Sequence, residues 1–456
     1  MKNSFPVWKN ILIYSVIAVV IAAIATGAYF LTVAIATPKS SYQWAMETIK
    51  KNYLYDFDEK AAQELFDGTE TDELKLKTVS AQMLDAYSTY YTAEEYNAIM
   101  QDNAGEKSGL GISYNFVEGE GVKLITVVGN SPAYNAGLRA GDVIVKYGYG
   151  GDETEIKKAE DFSKFIDARA KGEKFIVYTE EDAFEISKEI YSASYTFFAT
   201  NTTAWSVSYP SGNQGFLVEN PADSLTFLPE GFGYIKLNQF YGNAGAEFGK
   251  LVEKFNASKC TSLILDLRNN GGGYVSVMQD IAGYFVSSVK SGTNVAMTAK
   301  YKNGKKEVYN CVKKAGAQLV PKETEVYVLA NSGTASASEA LTGVLVSYDI
   351  VKYENIFISD FSQNYKDWYA AQGYGDLKTA QSYGKGIMQS TFYNNKTHEA
   401  LKLTTAKIYW PQKDGNEKCI HDVGLTKDDG CTVVPNVEWT ATRTDTELQY
   451  ICKTYL

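Results

Sequence analysis

The longest uninterrupted apolar pattern in the chain stands near its N-terminus. From Ile11 to Ala36 (ILIYSVIAVVIAAIATGAYFLTVAIA) 26 residues run without a charge, and about 20 suffice to cross the hydrocarbon core of a bilayer. Lys2 and Lys9 precede the run, so positive charge predicts a cytoplasmic N-terminus over residues 1–10, a transmembrane anchor over 11–36, and export of everything beyond Pro38. Ala34-Ile35-Ala36 has the form of a signal-cleavage site. The run nonetheless exceeds the ~7–15 residues of a signal core, which favours a retained anchor. The body is therefore expected outside the cytoplasm, on a single-pass protein of the cell membrane.

Past the anchor the periodicity changes character twice. Trp44, Ile49, Tyr53, Ala61, Leu65, Val79, Met83 and Tyr87 recur on a Glu- and Lys-rich background, predicting a small helical segment over 40–104. From Gly109 to about Glu181 come short β-type runs (LGISYNF, VKLITVV, DVIVKYG, KFIVYT) broken by Gly, Asn and Asp, giving a β-rich domain over 105–182. Inside it Ser131 is placed to cap a short helix, with Pro132 at the first helical position and Gly137 at the end.

The remainder, 183–456, alternates strand and helix. Strands are predicted at Gly233–Leu237, Ser262–Leu267 and Val326–Ala330, and helices at Ala244–Phe255, Val275–Phe285 and about Ser338–Val346. Further strands are expected near Lys385 and Leu401. The stretch from Tyr191 to Pro229, rich in Thr, Ser, Asn and Tyr, receives no assignment.

Composition narrows the function. With 456 residues, 45% apolar and 21% charged, the chain can build several cores. A net charge of −10 and a pI near 5.1, with no basic stripe, exclude a nucleic-acid partner. Cys260, Cys311, Cys419, Cys431 and Cys452 show no C-x-x-C spacing. Cys419 and Cys431 bracket a Gly/Asp-rich loop, and an oxidising exterior permits them to pair. His398 and His421 are the only two histidines, and H-E-x-x-H, Walker A and G-x-G-x-x-G sequences are all lacking, so no metal or organic cofactor is expected.

Three segments can carry chemistry. Asn331-Ser332-Gly333-Thr334-Ala335-Ser336-Ala337-Ser338-Glu339 follows the strand VYVLA and opens a helix. A hydroxyl is exposed at such a junction, and free N–H groups at a helix start stabilise developing negative charge. The same letters also read as a capping box, with Ser336 and Glu339 merely satisfying orphan N–H groups. Lys385, in Tyr383-Gly384-Lys385-Gly386-Ile387-Met388-Gln389, is flanked by glycines that let another backbone come close. To serve as a base it must be neutral, so burial has to pull its pKa down toward neutrality. Gln389, four residues on, falls on the same face and is placed to orient the amine. Read alone, the lysine fits a solvated turn equally well. Leu265-Asp266-Leu267-Arg268-Asn269-Asn270-Gly271-Gly272-Gly273, finally, sets backbone amides at the carboxyl edge of a sheet, as an oxyanion loop or as a plain crossover turn.

Two resemblances tie these pieces together. Gly109-Leu110-Gly111-Ile112 with the S-P-A-x-x-A-G-L-x-x-G-D run from Ser131 to Asp142 resembles a PDZ domain, whose loop amides receive a peptide's terminal carboxylate while the peptide adds as a strand. The order of Tyr87-Ser88-Thr89-Tyr90-Tyr91-Thr92, the PDZ run, D-L-R-N-N-G-G-G, G-T-A-S-A-S-E and Y-G-K-G-I-M-Q resembles the C-terminal processing peptidases, the tail-specific S41 serine peptidases. That resemblance implies a multidomain α/β fold in which a helical segment and a β-barrel-like PDZ domain precede a Ser/Lys peptidase domain with a ClpP/crotonase-like core. It implies Ser336 as nucleophile, Lys385 as base, Gln389 beside it, and an oxyanion hole from Gly271 or Gly272 with Ala337. The peptide-binding residues would be Gly109, Leu110, Gly111 and Ile112. The implied activity is that of a membrane-anchored extracytoplasmic serine endopeptidase acting on proteins or peptides held by their C-termini, with a homodimer left open. The alternative is a catalytically silent, membrane-tethered PDZ peptide-binding module. It is motivated by the 49 positions between Ser336 and Lys385 (385 − 336), about twice the family's spacing, which predict an insertion near Glu354–Lys378. The Gly-Glu-Pro usual before the family's lysine motif is replaced here by Thr379-Ala380-Gln381-Ser382.

Overall fold

The computed structural model describes residues 39–209, 215–290, 294–371, 378–412, 416–437 and 445–456. The predicted anchor lies outside these residues, and among them no helix is long and apolar enough to cross a membrane. The chain divides into two compact units, one of residues up to 93 with 391–403, the other of 94–390 with 404–456.

The first unit is built on the helices Ser41–Asn52, Glu59–Glu64 and Asp72–Met83. Each starts on a residue whose side-chain oxygen accepts a first-turn N–H: Ser40, Asp58 and Thr71, which supplies partners for otherwise orphaned donors. Their apolar faces bury Ala45, Met46, Ile49, Leu76 and Val79 against Tyr90, Leu401 and Leu403. The helical pattern did not foretell the strand Thr89–Tyr91, which pairs antiparallel with Ala400–Lys402 and buries Tyr90.

In the second unit an eight-stranded sheet runs in the order Phe216–Glu219, Ala204–Ser208, Thr196–Ala199, Phe232–Leu237, Ser262–Asp266, Glu325–Ala330, Ile356–Phe361 and Thr432–Val437. The first three pairings are antiparallel and the last four parallel. Ser262–Asp266 is buried at every position, as a parallel strand covered on both faces must be. One face carries the helices Ala244–Ala257, Val275–Val289 and Ala337–Ser347, which bring Phe248, Phe255, Phe285 and Leu341 onto Leu263 and Leu265. On the other, the C-terminal helix Thr446–Thr454 sets Leu448 and Ile451 against Ile264, Leu329 and Val434.

Three points extend or alter the sequence reading. The unassigned stretch Tyr191–Pro229 supplies the antiparallel strands of this sheet. The segment expected as an insertion near Glu354–Lys378 is in part an inner strand, Ile356–Phe361, bonded on both sides; a helix, Gln363–Ala371, follows it. Cys419 and Cys431 do not pair, and all five cysteines are free thiols.

Residues 106–192 of the same unit form a small β-rich module. A three-stranded sheet (Ile112–Val117, Gly121–Val127, Val143–Ile144) and a four-stranded one (Glu153–Glu155, Lys146–Gly148, Phe175–Tyr178, Ala183–Ile186) enclose Leu110, Val122, Leu124, Leu138, Phe162 and Phe175. The short helix is Pro132–Ala136, with Ser131 Oγ accepting the Tyr134 N–H and Gly137 ending it at φ 108°. A second helix, Ala159–Asp167, was not anticipated. An antiparallel ribbon of Glu106–Gly109 with Glu189–Ser192 closes the module.

Candidate active site

Ser336 stands between the strand Glu325–Ala330 and the helix Ala337–Ser347, with φ 59° and ψ −114°. Such a backbone costs about 1–3 kcal/mol and persists only where its surroundings impose it. The capping-box expectation is half met. Glu339 accepts the Ser336 N–H at 2.9 Å, and the Ser336 side chain makes no cap hydrogen bond of its own.

Glu339 is the residue that sequence reasoning undervalued. It is wholly buried, and its carboxylate receives four hydrogen bonds. Oε2 accepts the N–H groups of Ser336 and of Lys385, each at 2.9 Å. Oε1 accepts the Gly384 N–H at 2.8 Å and the Ser382 hydroxyl at 2.5 Å. Burial raises its carboxyl above the ordinary range, against the pull of these donors. Its place in the first turn of an otherwise apolar helix was the available signal, and a cap explained it too easily.

The lysine loop is held from other sides as well. The Tyr383 N–H donates to Thr334 O at 2.9 Å, and the Thr334 hydroxyl donates to Leu267 O at 2.8 Å. The flanking glycines do admit another backbone: a Cβ on Gly386 would stand 2.6 Å from His421 N, and one on Gly384, at φ +83°, 2.9 Å from Gly424 N. Lys385 is thus half-buried between Ile420–Gly424 and the start of the Ser336 helix. Gln389, on the strand Ile387–Tyr393, donates from Nε2 to Thr404 Oγ1 at 3.1 Å.

The glycine loop meets Ser336 directly. Asn270 accepts the N–H of Ala335 and the Ser338 hydroxyl on its main-chain oxygen, at 3.0 and 2.8 Å. Its side chain donates to Leu237 O and accepts the Gly272 N–H at 2.9 Å. The Gly272 amide is therefore engaged, while among the described residues the Gly271 and Ala337 amides donate to no protein acceptor. Gly272 serves by its smallness: at φ +98°, a Cβ there would lie 2.9 Å from both Ser336 Cβ and Ala337 N. Of the two glycines proposed from sequence, Gly271 retains the free donor and Gly272 gives the close approach.

Beyond this loop lies a buried ionic cluster. Asp266 accepts from Tyr234 Oη at 2.6 Å, Lys236 Nζ at 3.1 Å and Arg268 Nη2 at 2.6 Å. The Arg268 guanidinium also reaches Asp445 at 2.5 Å and Glu447 at 3.1 Å on the C-terminal helix. Burial opposes the Asp266 charge, but Arg268 and Lys236 hold its carboxyl well below the usual range.

Leu110, Gly111 and Ile112 line a groove of about 460 Å³ together with Tyr114, Val128 and Ser163, Ile166 and Asp167 of the second helix, while Gly109, the fourth residue expected there, does not line it. Among the described residues the strand Ile112–Val117 pairs on one edge, with Gly121–Val127. Gly111 is a true glycine position, since at φ +77° a Cβ would lie 2.2 Å from that of Ser131.

Residues 231–353 match the profile of Peptidase family S41. A "Probable CtpA-like serine protease" of Staphylococcus epidermidis is 25% identical over 388 residues, covering 85% of this chain and 64% of that protein. A chloroplastic C-terminal processing peptidase of Tetradesmus obliquus is 25% identical over 280 residues, 59% of this chain and 54% of that one. The chain thus spans less than two thirds of the length of these relatives. A solved Bacteroides fragilis structure, named for an S41 protease, superposes over 91% of this chain and 98% of its own with a TM-score of 0.55 at 14% identity, which speaks for the fold.

Proposed function

We propose that this chain, which belongs to peptidase family S41, is a serine endopeptidase in which Ser336 is the nucleophile and Lys385 the general base. The observation that carries the reading is the shared carboxylate: Glu339 fixes the backbones of both residues on one oxygen. Neutral Lys385 takes the Ser336 proton, Ser336 attacks the peptide carbonyl, and the Ala337 and Gly271 amides receive the oxyanion; water then releases the acyl group. Gln389, set by Thr404, steadies the amine. The glycine-bordered groove acts as a PDZ site that holds the substrate's C-terminus on the free edge of Ile112–Val117, and residues 11–36 anchor the enzyme with its body outside the cytoplasm.

The test compares the full-length chain with Ser336→Ala and Lys385→Ala on an unstructured protein. Cleavage by the wild type, lost in both variants, is the expected result. Cleavage that survives either change removes the dyad. A wild type that binds C-terminal peptides and cuts nothing is instead the silent, membrane-tethered binding module.

A further inference from the structure

Besides its contacts to the Ser336 turn, the glycine loop hangs on residues 237–242. The Asn270 side chain donates to Leu237 O at 2.7 Å. The Phe240 N–H donates to Gly272 O at 3.0 Å, and the Tyr274 N–H to Phe240 O at 2.9 Å. That segment is fixed in turn by Tyr195. The Asn238 N–H donates to Tyr195 O at 2.8 Å, and the buried Tyr195 ring lies against Gly242. Tyr195 itself is held by Glu247, in the first turn of the helix Ala244–Ala257. Oε2 of Glu247 accepts the Tyr195 N–H and the Thr196 hydroxyl at 2.9 Å each, and the Ser194 hydroxyl at 3.3 Å. Oε1 accepts the Tyr209 hydroxyl at 2.5 Å.

Resting on the reading of Gly271 and Ala337 as oxyanion donors, we infer that Glu247 is a positioning residue of the reaction, which acts through Tyr195 to fix where the Gly271 amide stands. Stability alone is a poor reason for this side chain. It is wholly buried and its four donors are neutral groups, so no cation offsets the loss of water, and apolar residues of similar volume commonly fill such sites without loss. What a carboxylate does there, and an apolar side chain cannot, is hold residues 194–196 by their N–H and hydroxyl groups at once. The middle residue of the three carries both the Asn238 bond and the Gly242 contact. A shift at Tyr195 therefore reaches both halves of the segment 237–242, and between those points lie the Phe240 bonds that carry the glycine loop. Glu339 sets the Ser336 turn and the lysine loop; Glu247 sets the loop that faces them.

The experiment measures, on the full-length chain, kcat and KM for an unstructured peptide and the Ki of a peptide aldehyde, whose hemiacetal with Ser336 mimics the oxyanion. Glu247→Met fills the site and removes every acceptor. It should lower kcat by about 10- to 100-fold and raise the Ki by the same factor, because a misplaced oxyanion donor acts on the transition state. KM should stay within about twofold. Ki does not depend on how much of the enzyme is folded, so a merely structural glutamate would leave it unmoved. Glu247→Gln keeps an acceptor for the Tyr195 N–H, while the Tyr209 hydroxyl can turn from donor to acceptor, and should hold kcat within about threefold of wild type. Gly242→Ala presses on the same contact from the other side: at φ +49° its Cβ would stand 3.1 Å from Tyr195 Cε2 and from Ala104 O. It should reproduce the loss in kcat and the rise in Ki, and combined with Glu247→Met it should add little, as two steps of one chain of contacts do. An unmoved Ki with Glu247→Met, or fully additive losses, overturns the inference while the dyad stands. If the wild type neither cleaves nor yields to the aldehyde, the serine reading fails and this one with it. Thermal melting identifies a Glu247→Met chain that does not fold, and Gly242→Ala with the same Ki then decides.

Discussion

Ser336 and Lys385 donate their backbone N–H groups to the same atom, Oε2 of Glu339, at 2.9 Å each. The strained turn at Ser336 and the lysine loop are thereby set by one buried side chain, with Oε1 holding Gly384 and Ser382 of the same loop. Glu339→Gln keeps the shape and replaces one acceptor by a donor that faces donors. Two buried N–H groups then go unsatisfied, at about 1–3 kcal/mol each. A displacement of about 1 Å between the proposed nucleophile and base lowers kcat by roughly 100-fold. Steady-state kinetics should show that fall with KM nearly unchanged; an unaltered kcat would mean that the loop holds its place without Glu339.

Glu339 also gives acidification a distinctive signature. Burial raises its carboxyl above the ordinary value, so the folded enzyme takes up this proton at a higher pH than the unfolded chain does. Between the two values protonation favours folding rather than opposing it, yet it removes acceptors that the Ser336 and Lys385 amides need. Activity should therefore fall in mildly acidic solution before stability does. Parallel pH series of peptide cleavage and thermal melting check this, and simultaneous loss of both would contradict it. A lysine base predicts decline in the same direction as it takes up a proton. Glu339→Gln should remove the Glu339 component of the acidic limb alone.

Gly272→Ala tests the approach of the glycine loop to the nucleophile. The added methyl would stand 2.8 Å from Ala335 O and 2.9 Å from Ser336 Cβ, on a backbone at φ +98°. Backbone atoms line that space, so relief requires the loop and the serine turn to part. The Ala337 and Gly271 amides then no longer point at one oxyanion, and losing such a donor costs about 10²–10³ in kcat. Peptide binding in the groove, which Gly272 does not line, should be intact. Near wild-type turnover would show that the loop does not contribute to the hole.

What the sequence disclosed followed from how strongly each pattern is forced. Ser262–Asp266 is buried on both faces, so its apolar run could be read directly. Pro132 and Gly137 have positional meanings that hardly vary, and the short helix between them appeared as expected. Ile356–Phe361 went unread as a strand because spacing counts residues between motifs and cannot see that a strand lies among them. The antiparallel strands Thr196–Ala199 and Ala204–Ser208 hid among Thr, Ser and Tyr. Their inward side chains, Phe198 and Trp205, stand in strands of only four and five residues, too short for an alternation to declare itself. Glu339 escaped because three of its four partners are backbone amides, which leave no mark in the sequence of side chains.

Arg268 links the segment before the glycine loop to the end of the chain, and it is here that stability should be most sensitive. Its guanidinium is shared by Asp266, Asp445 and Glu447, the latter two at the start of the C-terminal helix, where Asp445 also caps the Leu448 N–H at 2.9 Å. Arg268→Met removes the cation from three carboxylates at once, and breaking a buried pair from one side costs about 3–5 kcal/mol. Asp445→Ala leaves Arg268 its other partners and forfeits one cap, for about 1–2 kcal/mol. Urea unfolding measures both. The pH dependence follows from Asp266, whose carboxyl Arg268 and Lys236 hold below its unfolded value. Its contribution is complete above the unfolded value and is lost only as pH falls through the depressed one. The gap between wild type and Arg268→Met should therefore stay level from neutral pH into mild acid and close only in strong acid. A gap already closed in mild acid would mean that Asp266 is not held by Arg268, and that the C-terminal helix is fastened by its apolar face alone.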